Sequence, residues 1–394
     1  MKDSPTAEPG VLARFRLGDE WKEWVERNIR VRARRAQQMM EPSDDETERY
    51  LRASFCDKPF RNLETSPSGF AYVCCSSWLP TPIGDINSGI DDIWFGRRAR
   101  ALRASILDGS FRYCSRVHCS EIANRNLPRR DSERATQIMA EFASASPPTP
   151  KNVVLSHDRS CNLSCPSCRS ENIVADKIKQ AKLDEVTERL LVPMLRRAET
   201  VFVTGSGDPF GSAHFRRLLK RLITDEFSNL RVNLGTNGQL FDARAWRDLG
   251  LEGRVREVQI SIDAARPETY SIVRRGGTFE RLLANLEFIE GLRRSGVIES
   301  LHFSMVVQRL NFREMPDFVR LGRRFAADSV AFNMIRNWGT FSRAEFEQEF
   351  VGAATHPDFE ELTRMLSDPI LQPPYAQLGN IVDHVRRSRR KLAA

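Results

Sequence analysis

The features that would place this chain in a membrane or outside the cell are missing from its sequence. No apolar run reaches the roughly eighteen residues of a membrane-spanning helix. No secretory signal peptide is recognisable either, so the eight cysteines are not expected to form a disulfide framework. We therefore expect no membrane association and a location in the reducing cytoplasm.

The sequence also lacks any motif in which aromatic residues alternate with basic ones. Its formal net charge is +8 over 394 residues, and such a charge can attract nucleic acids, phosphate groups or acidic proteins. Without an interleaved motif, we expect no nucleic-acid partner. The hydrophobic content of 41% is enough for a buried core, and the length predicts two or three structural units.

No cysteine follows Cys168, yet three of the eight lie close together just before that point. Cys161, Cys165 and Cys168 have the spacing CxxxCxxC. Three thiolates bind three irons of a four-iron cluster and leave the fourth iron open, whereas structural metal sites use four protein ligands. An open position is typical of a site that activates a bound molecule. A zinc site is the alternative, since His157 could complete a Cys3His set.

Six short segments rich in β-branched and aromatic residues predict strands, with helical patterns between most of them. They are Asn152–Leu155, Glu199–Thr204, Arg231–Leu234, Val258–Asp263, Phe303–Val307 and Ser329–Asn333. Alternating strands and helices predict an α/β fold with a parallel sheet, here a partial barrel. Polar and glycine-rich residues follow these strands, and the carboxyl ends of parallel strands are where such folds build their sites. A GxGxxG nucleotide site at Gly205 is disfavoured because the third glycine is absent.

The cysteine triplet and the blocks after it resemble the radical S-adenosylmethionine (SAM) superfamily over roughly residues 150–340. The resemblance implies a partial (β/α)6 TIM-like barrel and a [4Fe-4S] cluster on Cys161, Cys165 and Cys168. It also implies SAM bound to the open iron and reductively cleaved to methionine and a 5′-deoxyadenosyl radical.

The same resemblance implies SAM contacts at several strand ends. The residues at the matching positions are Thr204, Gly205, Ser206, Gly207, Asp208, Asn237, Ser261 and Arg275. Asp208 stands where the family usually has a glutamate, Ser261 is expected near the ribose, and Arg275 is expected to pair with the SAM carboxylate. Because Ser167 replaces the aromatic residue that often packs on adenine, we expect Val306 and Phe332 to take that place.

The other five cysteines precede residue 120. The pattern begins at Cys56, which is followed by twelve residues, Gly69, four residues and Cys74. It ends with Cys114 and Cys119. This pattern resembles the SPASM and twitch domains, which implies one auxiliary [4Fe-4S] cluster on Cys56, Cys74, Cys114 and Cys119. Cys75 is then spare, either a small buried thiol or a hydrogen-atom donor to a substrate radical. A structural zinc knuckle is the alternative for the whole block.

These features predict five segments. They are an N-terminal helix with an acidic linker (1–50), the auxiliary-cluster domain (51–122), a linker (123–150), the partial barrel (151–340) and a helical C-terminal cap (341–394). The expected function is an oxidoreductase or isomerase type of radical SAM enzyme that modifies a peptide or protein. The alternatives are a sugar or small-metabolite dehydrogenase or epimerase, and a non-catalytic metal-binding scaffold. A flavodoxin- or ferredoxin-like protein is the expected electron donor.

Overall fold

The computed structural model describes residues 44–76, 79, 81–116 and 119–392. The strands are β1 (Asn62–Thr65), β2 (Phe70–Tyr72), β3 (Gly84–Asp85), β4 (Asn152–Leu155), β5 (Thr200–Val203), β6 (Arg231–Thr236), β7 (Val255–Ser261), β8 (Ser300–Val307), β9 (Ser329–Met334) and β10 (Ala376–Gln377). They form a single sheet in the order β10-β9-β8-β7-β6-β5-β4-β1-β2-β3. The predicted N-terminal helix lies outside the described residues.

Helices connect and cover these strands. They are α1 (Asp45–Ala53), α2 (Lys58–Arg61), α3 (Ile90–Trp94), α4 (Arg97–Leu107), α5 (Ser120–Ala123), α6 (Glu133–Ala143), α7 (Lys177–Val186), α8 (Val192–Leu195), α9 (Ala213–Leu222), α10 (Ala243–Leu249), α11 (Pro267–Val273), α12 (Phe279–Arg294), α13 (Met315–Arg324), α14 (Arg343–Glu349), α15 (Phe359–Met365) and α16 (Ile381–Leu392). A π-helical turn, Thr187–Leu191, joins α7 to α8. Within the described ranges, no helix combines the length and apolar character needed to cross a membrane.

The six predicted strands are present as β4 to β9, all parallel and in sequential order. The predicted partial (β/α)6 barrel is therefore confirmed. Two strands extend it, because β1 pairs in parallel with β4 at one edge and β10 pairs in parallel with β9 at the other. The cysteine-rich N-terminal region thus shares a sheet with the barrel, so that its strands β1 to β3 continue the barrel wall.

Alternate residues of each barrel strand face opposite sides of the sheet. In β8, four side chains are fully buried while the three between them are only partly buried. The buried Phe303 contacts Phe318 of α13, which in turn contacts Phe332 of β9. The apolar rows therefore pack against the surrounding helices, and the intervening row, including Ser304 and Val306, lines the barrel interior. Phe332 faces the helices, so its predicted place beneath the adenine was wrong.

Two segments predicted as linkers contain helices. Asp44 caps α1 by accepting a hydrogen bond from the backbone of Thr47 at 2.6 Å, so the acidic run is the start of a helix. The second segment forms α6, whose Ala135 and Ile138 join a small apolar core with Phe55 and Phe60. Cys56, Cys114 and Cys119 pack against this small core, whereas Cys74 packs against the main core of the barrel.

Candidate active site

The three cysteines of the CxxxCxxC motif lie together on the loop that follows β4. Cys161 and Cys165 are buried, Cys168 is partly exposed, and all three pack with Leu163. Backbone hydrogen bonds hold the loop, since Cys161 donates to the carbonyl of Ile173 and Cys168 to that of Cys165, both at 2.9 Å. Burial raises the pKa of Cys161 to about 11. Three adjacent thiols on one ordered loop fit the protein ligands of a four-iron cluster with one open position.

Each of these sulfurs accepts a hydrogen bond from the side chain of a residue outside the motif. The pairs are Asn237 Nδ2 to Cys161 at 3.6 Å, Arg274 Nη1 to Cys165 at 3.7 Å and Arg169 Nη2 to Cys168 at 3.3 Å. Donors aimed at sulfur stabilise the thiolate that binds iron. Arg169 and Arg274 were not among the predicted site residues.

Arg274 is held by a buried ion pair. Its Nη2 lies 2.9 Å from Oδ2 of Asp263, which follows β7 and also accepts the backbone N–H of Val306 at 2.7 Å. Burial alone would lower the pKa of Arg274, but Asp263 and Cys165 outweigh it and raise that pKa above its ordinary value. Within the described residues, the buried Nε has no hydrogen-bond partner. An orphaned buried donor is costly unless a bound group accepts its hydrogen bond, which fits a ligand at this position.

Arg275, the predicted partner of the SAM carboxylate, is exposed. It donates to Oγ of Ser164 at 3.0 Å and to the carbonyl of Ser170 at 2.7 Å. These contacts fasten the cysteine loop from its outer side. The contact of Arg275 with SAM stays a prediction.

The loop after β5 carries Thr204 to Asp208 and lies against the cysteine loop. Gly207 has φ +81°, and a Cβ there would lie 2.6 Å from the carbonyl oxygen of Asp158 and 2.7 Å from that of Ser160. A Cβ on Gly205 would lie 2.5 Å from Oγ of Ser156. Only glycine allows the two loops to approach so closely.

Asp208 is fully buried, and burial raises the pKa of its carboxyl group. Oδ1 accepts the backbone N–H groups of Phe210 and Gly211 at 3.0 and 3.1 Å. Oδ2 accepts from Oγ1 of Thr236 at 2.7 Å and from the backbone of Asn237 at 2.8 Å. The carboxylate therefore joins the ends of two neighbouring strands.

Asn237 and Ser261 lie at the carboxyl ends of β6 and β7, where they were predicted. The side chain of Asn237 donates to Oδ1 of Asn162 at 2.9 Å as well as to the sulfur of Cys161. Ser261 accepts a hydrogen bond from Oγ of Ser304 at 3.1 Å and faces the barrel interior. Asn237 thus contacts a predicted cluster ligand, and the predicted ribose contact of Ser261 stays a prediction.

His157 does not join the three cysteines. Its Nδ1 lies 2.8 Å from Oγ1 of Thr65 and its Nε2 lies 3.0 Å from Nε2 of His214. With both ring nitrogens engaged elsewhere, the Cys3His zinc alternative was wrong. Among the residues that the structure describes, no three His, Cys, Asp or Glu side chains converge on a single metal-ion position.

A second group of thiols forms in the N-terminal region. Burial raises the pKa of each thiol, to about 12 for Cys56. Neighbouring thiols raise it further for Cys56, Cys74 and Cys114, and Glu121 does so for Cys119. The members are Cys56, Cys74, Cys114 and Cys119. Lys58 lies among them, 3.6 Å from Glu121; burial lowers its pKa, but Cys74, Glu121 and the other thiols raise it overall. Four mutually close thiols beside one cation fit an iron–sulfur cluster with a complete set of cysteine ligands.

The turn that carries Cys74 and Cys75 is attached to the barrel sheet. Oε1 of Glu64, on β1, accepts the backbone N–H of Ser76 at 3.3 Å and its hydroxyl at 2.7 Å. Because β1 pairs with β4, which leads into the cysteine loop, one strand pair connects the two groups of thiols. Cys75 is partly buried beside Cys74, and its role as a hydrogen-atom donor stays a prediction.

Comparison with known protein families agrees with the assignment of both groups of thiols to iron–sulfur clusters. Residues 155–322 match the radical SAM superfamily, and residues 56–120 match SPASM, an iron-sulfur cluster-binding domain. The barrel, which has an α/β fold, therefore contains a radical SAM domain, and an iron–sulfur cluster-binding domain precedes it in the chain. The family implies a [4Fe-4S] cluster, SAM and an auxiliary cluster as cofactors.

Two kinds of curated relative are similar to the barrel. GTP 3′,8-cyclase of Alkaliphilus metalliredigens is 29% identical over 169 residues, 41% of this chain and 49% of that protein. Mycofactocin maturase MftC of Mycolicibacterium smegmatis is 27% identical over 168 residues, 42% of this chain and 40% of that protein. The chain spans about half the length, or less, of these two relatives.

Among solved structures, Streptococcus suis SuiB bound to the precursor peptide SuiA aligns with 75% of this chain and 64% of its own. The sequence identity is 13% and the TM-score 0.41.

Proposed function

We propose that this chain reductively cleaves SAM and uses the resulting radical to abstract hydrogen from a peptide or protein. The observation that carries the proposal is the group of Cys161, Cys165 and Cys168, with side-chain donors on every sulfur, beside the glycine loop of β5. The finer reaction type, oxidoreductase or isomerase, belongs to the same proposal.

In this proposal, the three cysteines hold the cluster and leave one iron for SAM. When bound, the cluster supplies the electron that splits SAM into methionine and a 5′-deoxyadenosyl radical. Thr204 to Asp208 form the wall against the SAM amino group, and Ser261 receives the ribose. Val306 lies in the interior row of β8, two residues after Ser304, which pairs with Ser261, and supports the adenine. Arg275 is assigned to the SAM carboxylate.

The four N-terminal cysteines are proposed to hold the auxiliary cluster. With Cys56, Cys74, Cys114 and Cys119 all assigned, no iron is left open for substrate. This set favours an electron acceptor for the substrate radical over a substrate ligand. The attachment of the Cys74 turn to β1 through Glu64 and Ser76 supports a fixed position of that cluster beside the barrel.

The substrate class rests on two resemblances. Similarity to a mycofactocin maturase, together with the SPASM domain, favours a peptide or protein substrate. Similarity to GTP 3′,8-cyclase makes a small molecule the second candidate. In either case, we propose a flavodoxin- or ferredoxin-like electron donor.

The proposal is tested by anaerobic reconstitution with iron and sulfide, followed by dithionite and SAM. We expect about eight irons per chain, for two four-iron clusters, and formation of 5′-deoxyadenosine. Cys161→Ala should abolish 5′-deoxyadenosine, while Cys75→Ala should leave the iron content unchanged. Intact SAM in the presence of a complete iron content would refute the proposal. Candidate peptides and nucleotides can then be compared in deuterated form, by measuring how much deuterium is transferred from each of them into 5′-deoxyadenosine.

A further inference from the structure

We propose that Arg169 and Arg274 raise the reduction potential of the cluster held by Cys161, Cys165 and Cys168. The inference rests on the proposed function, because it assumes that these cysteines carry a redox-active cluster. Neither arginine belongs to the CxxxCxxC motif, and nothing in the spacing of that motif points to them.

Arg274 contacts one proposed cluster ligand from outside the cysteine loop. It follows α11 and places Nη1 3.7 Å from the sulfur of Cys165 while Nη2 pairs with Asp263 at 2.9 Å. The residue is 9% exposed. A cation at this depth interacts strongly with a nearby negative charge because little water screens the two.

Arg169 reaches a second ligand from within the loop itself. Its Nη2 lies 3.3 Å from the sulfur of Cys168, and Nη1 donates to the carbonyl of Arg159 at 2.6 Å. The residue is 4% exposed. In the part of the chain that the structure describes, Arg169 forms no ion pair with a carboxylate, whereas the charge of Arg274 is balanced by Asp263.

The direction of the effect follows from the charge change on reduction. Reduction adds one electron, and part of that charge spreads onto the cysteine sulfurs. N–H donors and cations at those sulfurs stabilise the reduced state more than the oxidised state, so the potential rises. The effect of Arg169 should exceed that of Arg274, since Asp263 opposes the charge of Arg274.

The experiment is a reductive titration of the full-length, reconstituted protein followed by electron paramagnetic resonance. The cluster of interest is identified as the signal that changes when SAM is added. Arg169→Gln and Arg274→Gln should both shift its midpoint potential to more negative values, with the larger shift for Arg169→Gln. Arg169→Lys, which keeps a cationic donor, should recover part of that shift.

Arg266→Gln is the matched control. Arg266 immediately precedes α11, pairs with Asp317 at 3.0 Å on the surface and, among the described residues, contacts no predicted cluster ligand. Its substitution should leave the potential unchanged. If Arg274→Gln fails to retain iron, Arg169→Gln and Arg169→Lys still decide the question.

Unshifted potentials in variants with complete iron content would overturn the inference. A larger shift for Arg274→Gln would overturn the assigned role of Asp263. Absence of a SAM-sensitive signal from the unaltered protein would refute the proposed function instead, so the two failures are distinguishable.

Discussion

Asp208 and Asn237 come from loops after neighbouring strands and are joined by a hydrogen bond of 2.8 Å from the backbone N–H of Asn237 to Oδ2 of Asp208. The side chain of the same asparagine donates to the sulfur of Cys161. Asp208 therefore acts on the proposed cluster site through Asn237. At its position the family usually has a glutamate, and the shorter carboxylate is here fully occupied by four donors.

Asp208→Asn should therefore destabilise the fold and weaken SAM binding together. An amide offers one oxygen acceptor, so at least one buried backbone N–H loses its partner, and we expect a loss of about 2 to 4 kcal/mol in the free energy of unfolding. Anaerobic urea unfolding and equilibrium binding of SAM measure the two effects.

Asp242→Asn provides the comparison for this substitution. Asp242 caps α10 by accepting the backbone N–H of Ala245 at 2.8 Å, and within the described residues no hydrogen bond or ion pair joins it to the cysteine loop. Asparagine caps helices about as well as aspartate, so stability and SAM binding should change little. Equal behaviour of the two variants would contradict the positioning role of Asp208.

Gly207→Ala should disrupt the same loop by a steric route. At φ +81° an alanine is strained, and its Cβ would also lie within 2.7 Å of two backbone carbonyl oxygens. We expect a loss of at least about 3 kcal/mol and no measurable SAM binding.

Gly253→Ala tests the effect of backbone strain at positive φ without a steric clash of the Cβ. Gly253 has φ +70°, but a Cβ there meets nothing within 4 Å. That variant should lose only about 1 to 2 kcal/mol and bind SAM normally, as judged by thermal unfolding and binding isotherms. If the two alanine variants were equally stable, the close approach of the loops would not be what requires glycine.

The sequence predicted those parts of the site that depend on patterns within short segments of the chain. CxxxCxxC is a spacing within one loop, and the six strands carry their own composition, so both were recognised without knowledge of the fold. The inward position of Arg274, which contacts the sulfur of Cys165, was not accessible in this way. Arg274 and Arg275 are adjacent, and only the end of α11 at Val273 decides which one turns inward.

The wrong place expected for Phe332 and the unpredicted pairing of β1 have different causes. Phe332 was assigned to the interior because strand alternation leaves two possible phases, and the contact with Phe318 that selects one comes from α13. The pairing of β1 with β4 joins segments about ninety residues apart in the chain, and no local signal specifies such a partner.

Single cysteine substitutions should show that the two proposed clusters bind iron independently of each other. Removing any one of Cys56, Cys74, Cys114 or Cys119 should lower the content from about eight to about four irons per chain. The SAM-sensitive signal should persist in these variants. Iron analysis and electron paramagnetic resonance measure the two quantities.

Cys75→Ala is the control in this series, since Cys75 is adjacent to Cys74 but outside the proposed ligand set. It should retain about eight irons. A loss of about four irons from Cys75→Ala, with none from one of the other four, would reassign the ligands.

Acid should destabilise the protein through the buried histidine pair. Burial lowers the pKa of His157 well below 6.5, and burial likewise lowers that of His214 although Asp184 partly offsets it. As the pH falls through the unfolded value, the unfolded chain binds protons that the folded chain resists, so stability is full at higher pH and is lost below about pH 6.5. Each histidine contributes at most about 1.4 kcal/mol per pH unit.

The double variant His157→Asn/His214→Asn should flatten this dependence. Urea unfolding between about pH 8 and about pH 5.5 gives the slope for each protein, and comparing slopes removes the packing lost in the variant at every pH. The unaltered protein should lose stability more steeply on acidification. Only its two histidines bind protons in the unfolded chain while staying neutral in the folded protein. Parallel slopes would show that the hydrogen bonds from Thr65 through His157 and His214 to Asp184 do not govern the acid response.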